Sequence, residues 1–149
     1  MGNLKLESFD FSHGGEIPRE CGYKNGNKKP ELSVSGLPDG RKSLALIMDD
    51  PDAMGAVGKV WVHWVVWNIF PVGNTGVVDV MTGTEGMTDF GEVGYGGPAP
   101  PDKRHTYVFK LYALDTELDL PDKSTKADVE KAMEGHIIEQ TQLTGTYAP

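Results

Sequence analysis

The positions of this chain whose side chains or main chain could do chemistry are Asp50, Asp52, His63, the Gly96-Gly97 turn, His105 and Tyr107. Imidazoles and phenols donate hydrogen bonds to an oxyanion. Main-chain N–H groups of a glycine-rich turn can converge on the same anion, because no Cβ blocks the approach. Carboxylates repel it, so the two acids need another task. They either fix and partly charge a neighbouring histidine or receive an ammonium group on the same ligand. A zwitterion of the phosphoethanolamine kind would satisfy both signs. The same residue types admit two further chemistries. One is a hydrolase or lyase in which His63 or His105 acts as general base, oriented by Asp50 or Asp52. The other is a metal site made from the acids and imidazoles. No serine or cysteine falls in Met48 to Asp52, Trp61 to Trp67 or Gly94 to Tyr107, so these segments hold no acyl-enzyme nucleophile.

The elements that must position these residues are two short apolar runs, Leu44 to Met48 and Trp61 to Ile69. Both are rich in β-branched or aromatic residues and apolar on alternating faces, which predicts strands covered on both sides. Asp49, Asp50 and Asp52 crowd the exit of the first, with Asp49 read as solvating a turn. In the second, a strict period of two sends His63 to the side of Trp61, Val65 and Trp67. A third strand runs from His105 to Leu114, with His105, Tyr107, Phe109 and Leu111 on one face. Leu4 to Phe11 and Glu31 to Ser35 read as shorter strands, Gly76 to Met81 as one more, and Pro71 and Gly73 as the stop of the strand before it. Gly36-Leu37-Pro38-Asp39-Gly40 is turn chemistry and predicts a hairpin into Leu44 to Met48. Gly83 to Gly97 holds six glycines, and the following Pro98-Ala99-Pro100-Pro101 stiffens the exit. A loop this long in a compact domain is uncommon without a function. Thr125 to Thr144 carries Val129, Ala132, Met133, His136, Ile137 and Gln140 at helical spacing, with Thr125 and Asp128 suited to its start and Gly145 to its end. Many short strands and a lone late helix predict a mainly β, antiparallel sandwich.

At 149 residues the chain has the length of one domain, and a formal net charge of -8 argues against nucleic acid and against anionic membrane. A phosphorylated ligand would have to be won locally. No apolar run is long enough for stable membrane insertion. The single cysteine, Cys21, excludes an internal disulfide, and the charged opening residues lack a signal-peptide core, which together favour a cytoplasmic location. Asp50-Pro51-Asp52 with Gly55 imitates a calcium loop, but Met54 and Trp61 occupy two ligand positions. Asp89-Phe90-Gly91 spells a kinase motif in a chain too short for a kinase. No Walker, dinucleotide, HExxH or nucleophile-elbow motif is present, and no cofactor is implied. The ordinary alternatives are structural: His63 as a packed core residue, Asp52 as a loop cap, His136 as packing, His13 as an exposed loop residue, and Cys21 as inert.

The blocks SLALIMDDPDA, WVHWVVWNI, GYGGPAPPDKRHTYVFKLYALD and KAMEGHIIEQTQLTGTY, in that order, resemble the phosphatidylethanolamine-binding protein (PEBP) family. They are most similar to its bacterial and archaeal branch, the Raf kinase inhibitor-like proteins. The resemblance starts at Ile17-Pro18 and Pro30-Glu31-Leu32 and covers nearly the whole chain. It implies a β-sandwich with Greek-key connections and an anion-binding pocket at one end, lined by Asp50, Asp52, His63, Gly96, Gly97, Pro98, His105 and Tyr107. It further implies a small phosphorylated or anionic ligand, no established catalytic activity, and modulation of a kinase or inhibition of a serine protease. Self-association into a homodimer is left open. Met54 departs from the family, which usually has proline after DPDA, and too few residues follow Tyr147 for the further helix that borders the pocket in eukaryotic members.

Overall fold

The computed structural model describes residues 2–70, 76–77 and 83–149. The strands are β1 (Lys5–Ser8), β2 (Leu32–Ser35), β3 (Ser43–Asp50), β4 (Trp61–Ile69), β5 (Gly76–Val77), β6 (Thr84–Glu85), β7 (His105–Leu114) and β8 (Ile137–Tyr147). Two helices interrupt them, α1 (Ala53–Val57) and α2 (Lys126–Met133). Five strands form one sheet in the order β6-β4-β3-β7-β8, and three form another in the order β1-β2-β5. Every pairing between these strands is antiparallel. All eight residues of β3 are buried, as befits the middle strand of a covered sheet.

One face of the large sheet, with Leu44, Leu46, Met48, Phe109 and Leu111, packs on Leu6, Leu32 and Val34 of the small one. The opposite face, with Ala45, Ile47, Val65 and Trp67, packs on Val129 and Met133 of α2. Periodicity alone thus locates β3, β4 and β7, and the antiparallel sandwich follows from them.

Four local expectations give way. The turn at 36–40 makes no hairpin, because β2 and β3 lie in different sheets and the chain crosses from one layer to the other. Asp49 is not a solvated turn residue. It is 1% exposed and bonds Lys110 at 3.0 Å and Lys126 at 2.7 Å, tying α2 to the sheet. The late helix starts where expected, with Thr125 and Asp128 in a reciprocal capping box, but ends at Met133. Gly135 then turns with φ +80°, and Ile137–Tyr147 becomes β8, paired along β7 from His105↔Tyr147 to Leu114↔Ile137. Gly145 is therefore a strand residue, and His136 is exposed, its Nδ1 2.8 Å from Asp115. Of the strand expected over Gly76 to Met81, Gly76–Val77 is present; the remainder, like the stop signals Pro71 and Gly73, lies outside the described residues.

Candidate functional site

The site is built around an irregularity in β4. Met48 pairs with Trp64 and Asp49 with Val62, so His63 is an extra residue, a bulge. The bulge breaks the period of two and re-aims the side chain. Val62 packs toward α2 while His63 turns to the sandwich side, its ring edge-on to Tyr107 at 5.1 Å between centroids. His63 therefore shares a side with Trp61 but not with Val65 and Trp67. Asp89 secures the bulge by accepting the N–H of Val62 at 2.7 Å and the Lys59 ammonium at 2.8 Å.

His63 is 2% exposed, and its Nδ1–H donates to the Gly96 carbonyl at 2.6 Å. That bond fixes the tautomer and turns Nε2 away from the carbonyl. Burial lowers its pKa, against the opposing pull of the Gly96 carbonyl and the Asp50 charge, so the ring is neutral at neutral pH. His105, 0% exposed, is in the reverse state. Its Nδ1 lies 2.6 Å from Asp50 Oδ2 and its Nε2 2.7 Å from Asp102 Oδ1. Burial works against its charge, but the two carboxylate hydrogen bonds prevail and raise its pKa. Both ring nitrogens thus act as donors.

Asp50 spends its other oxygen on the N–H of Asp52 at 2.9 Å. Asp52 is exposed and accepts the N–H of Thr106 at 2.8 Å, clipping the end of β3 to β7 as a loop cap does. Tyr107 is 0% exposed, and its hydroxyl makes no well-formed hydrogen bond to the described residues, although the Asp50 carboxylate and the Ala99 backbone are close enough to act on it. Burial first, and then the nearby Asp50 charge, push its pKa up.

The glycine turn does something other than expected. The N–H of Gly96 donates to the His63 carbonyl at 2.8 Å, and that of Gly97 to Asn27 Oδ1 at 2.7 Å. Neither is offered to an anion. The glycines are needed for space, since a Cβ on Gly96 would strike the Phe90 ring and one on Gly97 would stand 2.0 Å from the Cys21 carbonyl. Pro98 continues the frame, its carbonyl accepting Tyr23 N–H at 2.9 Å.

Between these elements lies a cavity of about 200 Å³. Asp50, His63 and His105 line it together with apolar groups from α1, Trp61, Phe90 and Pro101, whereas Asp52, Gly96, Gly97, Pro98 and Tyr107 are not on its wall. Tyr107 lies against both imidazoles, 6.3 Å from His105 between centroids. Sequence reasoning missed Asp102 and Phe90. The only signal for Asp102 is its spacing of three from His105, while Phe90 was dismissed with the kinase-like triplet. Among the described residues, no group of three or more His, Cys, Asp or Glu side chains is arranged to hold a metal ion. The Cys21 thiol is buried and its pKa is pushed up to about 11, as suits an inert side chain.

Fold and site together define a two-sheet antiparallel sandwich with a small, polar-floored, apolar-walled hollow. The family model described as "Phosphatidylethanolamine-binding protein" matches residues 7–148, and the chain belongs to that family. A UPF0098 protein of the archaeon Methanothermobacter thermautotrophicus is 43% identical over 97% of this chain and 98% of its own length. One from Chlamydia muridarum is 40% identical over the same shares. Among solved structures, a PEBP homologue from Chlamydia trachomatis superposes with a TM-score of 0.88 at 37% identity, covering 99% of this chain and 98% of that one. E. coli YbcL, described as a new member of the mammalian PEBP family, gives 0.85 at 31% identity, covering 98% of each chain.

Proposed function

We propose that this protein is a non-enzymatic binding module whose cavity takes a small ligand with a phosphate or similar oxyanionic head and an apolar remainder. The observation that carries the reading is that Asp50, His63 and the carboxylate-bonded His105 share one cavity wall with apolar groups, with the Tyr107 hydroxyl buried against both imidazoles and without a well-formed hydrogen bond. A buried donor without an acceptor costs about 1–3 kcal/mol, and a ligand oxygen would relieve it. His105 supplies the positive charge, Asp50 keeps that charge in place from behind, and the His63 Nε2 meets a protonated ligand oxygen. Trp61, Phe90 and Val57 suit the apolar remainder. Acid–base hydrolysis fits less well, because a His105 bonded to carboxylates through both nitrogens has no lone pair with which to take a proton, and His63, which keeps one on Nε2, is oriented by the Gly96 carbonyl and not by an aspartate.

Phenyl phosphate is a suitable probe. Tyr107→Phe should weaken its binding by about tenfold or more, the range for a hydrogen bond to a charged group. Thermal stability should change little, since the hydroxyl makes no well-formed hydrogen bond to lose. Unchanged affinity, or a loss of binding matched by a loss of folding, would remove the reading.

A further inference from the structure

Asp102 stands in the loop just before β7, where its side chain is 44% exposed, while the imidazole it bonds is 0% exposed. Its Oδ1 accepts from His105 Nε2 at 2.7 Å and from the N–H of Lys103 at 2.9 Å. It therefore lies between a charged ring and solvent, in the position of an oxyanion. The opposite nitrogen is held by the buried Asp50, which stays with the ring whatever Asp102 does. The two carboxylates differ in freedom. Asp50 is 3% exposed in the middle strand of the sheet, while Asp102 can swing into water without breaking any strand pairing.

Resting on the oxyanion-pocket reading above, we propose that Asp102 is a built-in substitute for the ligand head, displaced from His105 on binding, and that it thereby selects among anions. Exchange of one oxyanion for another leaves the charge around His105 unchanged. A tethered carboxylate three residues away competes at an effective concentration on the order of millimolar. A lone carboxylate in solution offers nothing that Asp102 lacks and is excluded. A phosphate brings more oxygens, spread over a tetrahedron that can reach several donors at once, and displaces it. Asp102 is in this sense a specificity-determining residue that acts by competition.

The test is titration of the full chain, of Asp102→Ala and of Asp102→Asn with inorganic phosphate and with acetate, at about pH 6. The lower pH favours the charged imidazole, which keeps its hydrogen bond to Asp50 in both variants. Asp102→Ala should tighten phosphate by about tenfold or more and make acetate binding detectable, with Asn between Ala and the wild type. Thermal stability should change little, the side chain being half in water. Phosphate binding that is unchanged or weakened in Asp102→Ala overturns the competition while leaving the Tyr107→Phe result standing. Failure of the wild type and both variants to bind either phosphate or phenyl phosphate overturns the pocket reading itself.

Discussion

His63 and His105 carry the same ring in opposite charge states, because burial decides the first and two carboxylates decide the second. The consequence is a pH dependence of known sign. His105 remains charged above the ordinary histidine value, so the imidazole in the cavity whose protonation changes below that value is His63. Its folded-state pKa is lowered, so an anion should bind more tightly as pH falls through a value below 6.5, where Nε2 becomes a donor. Phenyl sulfate, which does not titrate in this range, isolates the protein's contribution. His63→Asn keeps a side-chain amide near the Gly96 carbonyl and deletes Nε2. It should flatten the pH profile, and cost about 0.5–1.5 kcal/mol of stability through the lost edge contacts to Phe90 and Tyr107. A profile that keeps its slope in this variant would assign the titration elsewhere. The sequence marks Asp50, His63, His105 and Tyr107 because polar types there interrupt apolar strands. It hides Asp102, because an acid in Pro100-Pro101-Asp102-Lys103-Arg104 is what any surface loop contains.

The strands and the loops differ in how far their sequences betray them. β3, β4 and β7 are legible from alternation, since each must fill two covered faces. The bulge at His63 is not, because it is set by pairing with β3 and by Asp89 gripping Val62. The segment after Met133 is misread for a related reason. Ile137, Gln140 and Thr144 are compatible with a helical stripe, but Gly135 breaks the helix and a long ladder on β7 outweighs local propensity. The glycine-rich loop is legible as a loop beside the site strands, yet its glycines serve packing: Tyr95 O–H donates to the Cys21 carbonyl and Asn27 brackets the turn. Two alanine substitutions separate these roles. Gly97→Ala drives a Cβ into main chain and should cost about 1–3 kcal/mol, the usual range for overpacking. It should also weaken phenyl phosphate binding, since Gly96 next door holds His63. Gly55→Ala in α1 meets open space and should stabilise, by up to about 1 kcal/mol. Urea unfolding measures both, and a neutral Gly97→Ala would show a loop loose enough to yield.

On the scale of the molecule, a chain of formal net charge -8 would have to capture the anion proposed for its cavity against its own field. The favourable contacts are short and enclosed: His105 is fully buried, and Asp49 already engages Lys110 and Lys126 on the helix-covered side of the sheet. Repulsion acts at long range, attraction only at contact. Salt screens the first over roughly 10 Å at 0.1 M and hardly touches the second. Association with phenyl phosphate should therefore quicken as sodium chloride rises from about 0.01 to 0.15 M, with dissociation nearly constant, the reverse of steered binding. Trp61 on the cavity wall offers a fluorescence signal for stopped-flow measurement. An association rate that falls with salt would mean that a local basic surface, with Arg19 and Lys24 beside the proline-rich loop, governs approach in place of the overall charge. Neutralising those side chains would then abolish the salt dependence, whereas the whole-molecule account expects it to persist and to shrink only when surface acids far from the cavity are replaced.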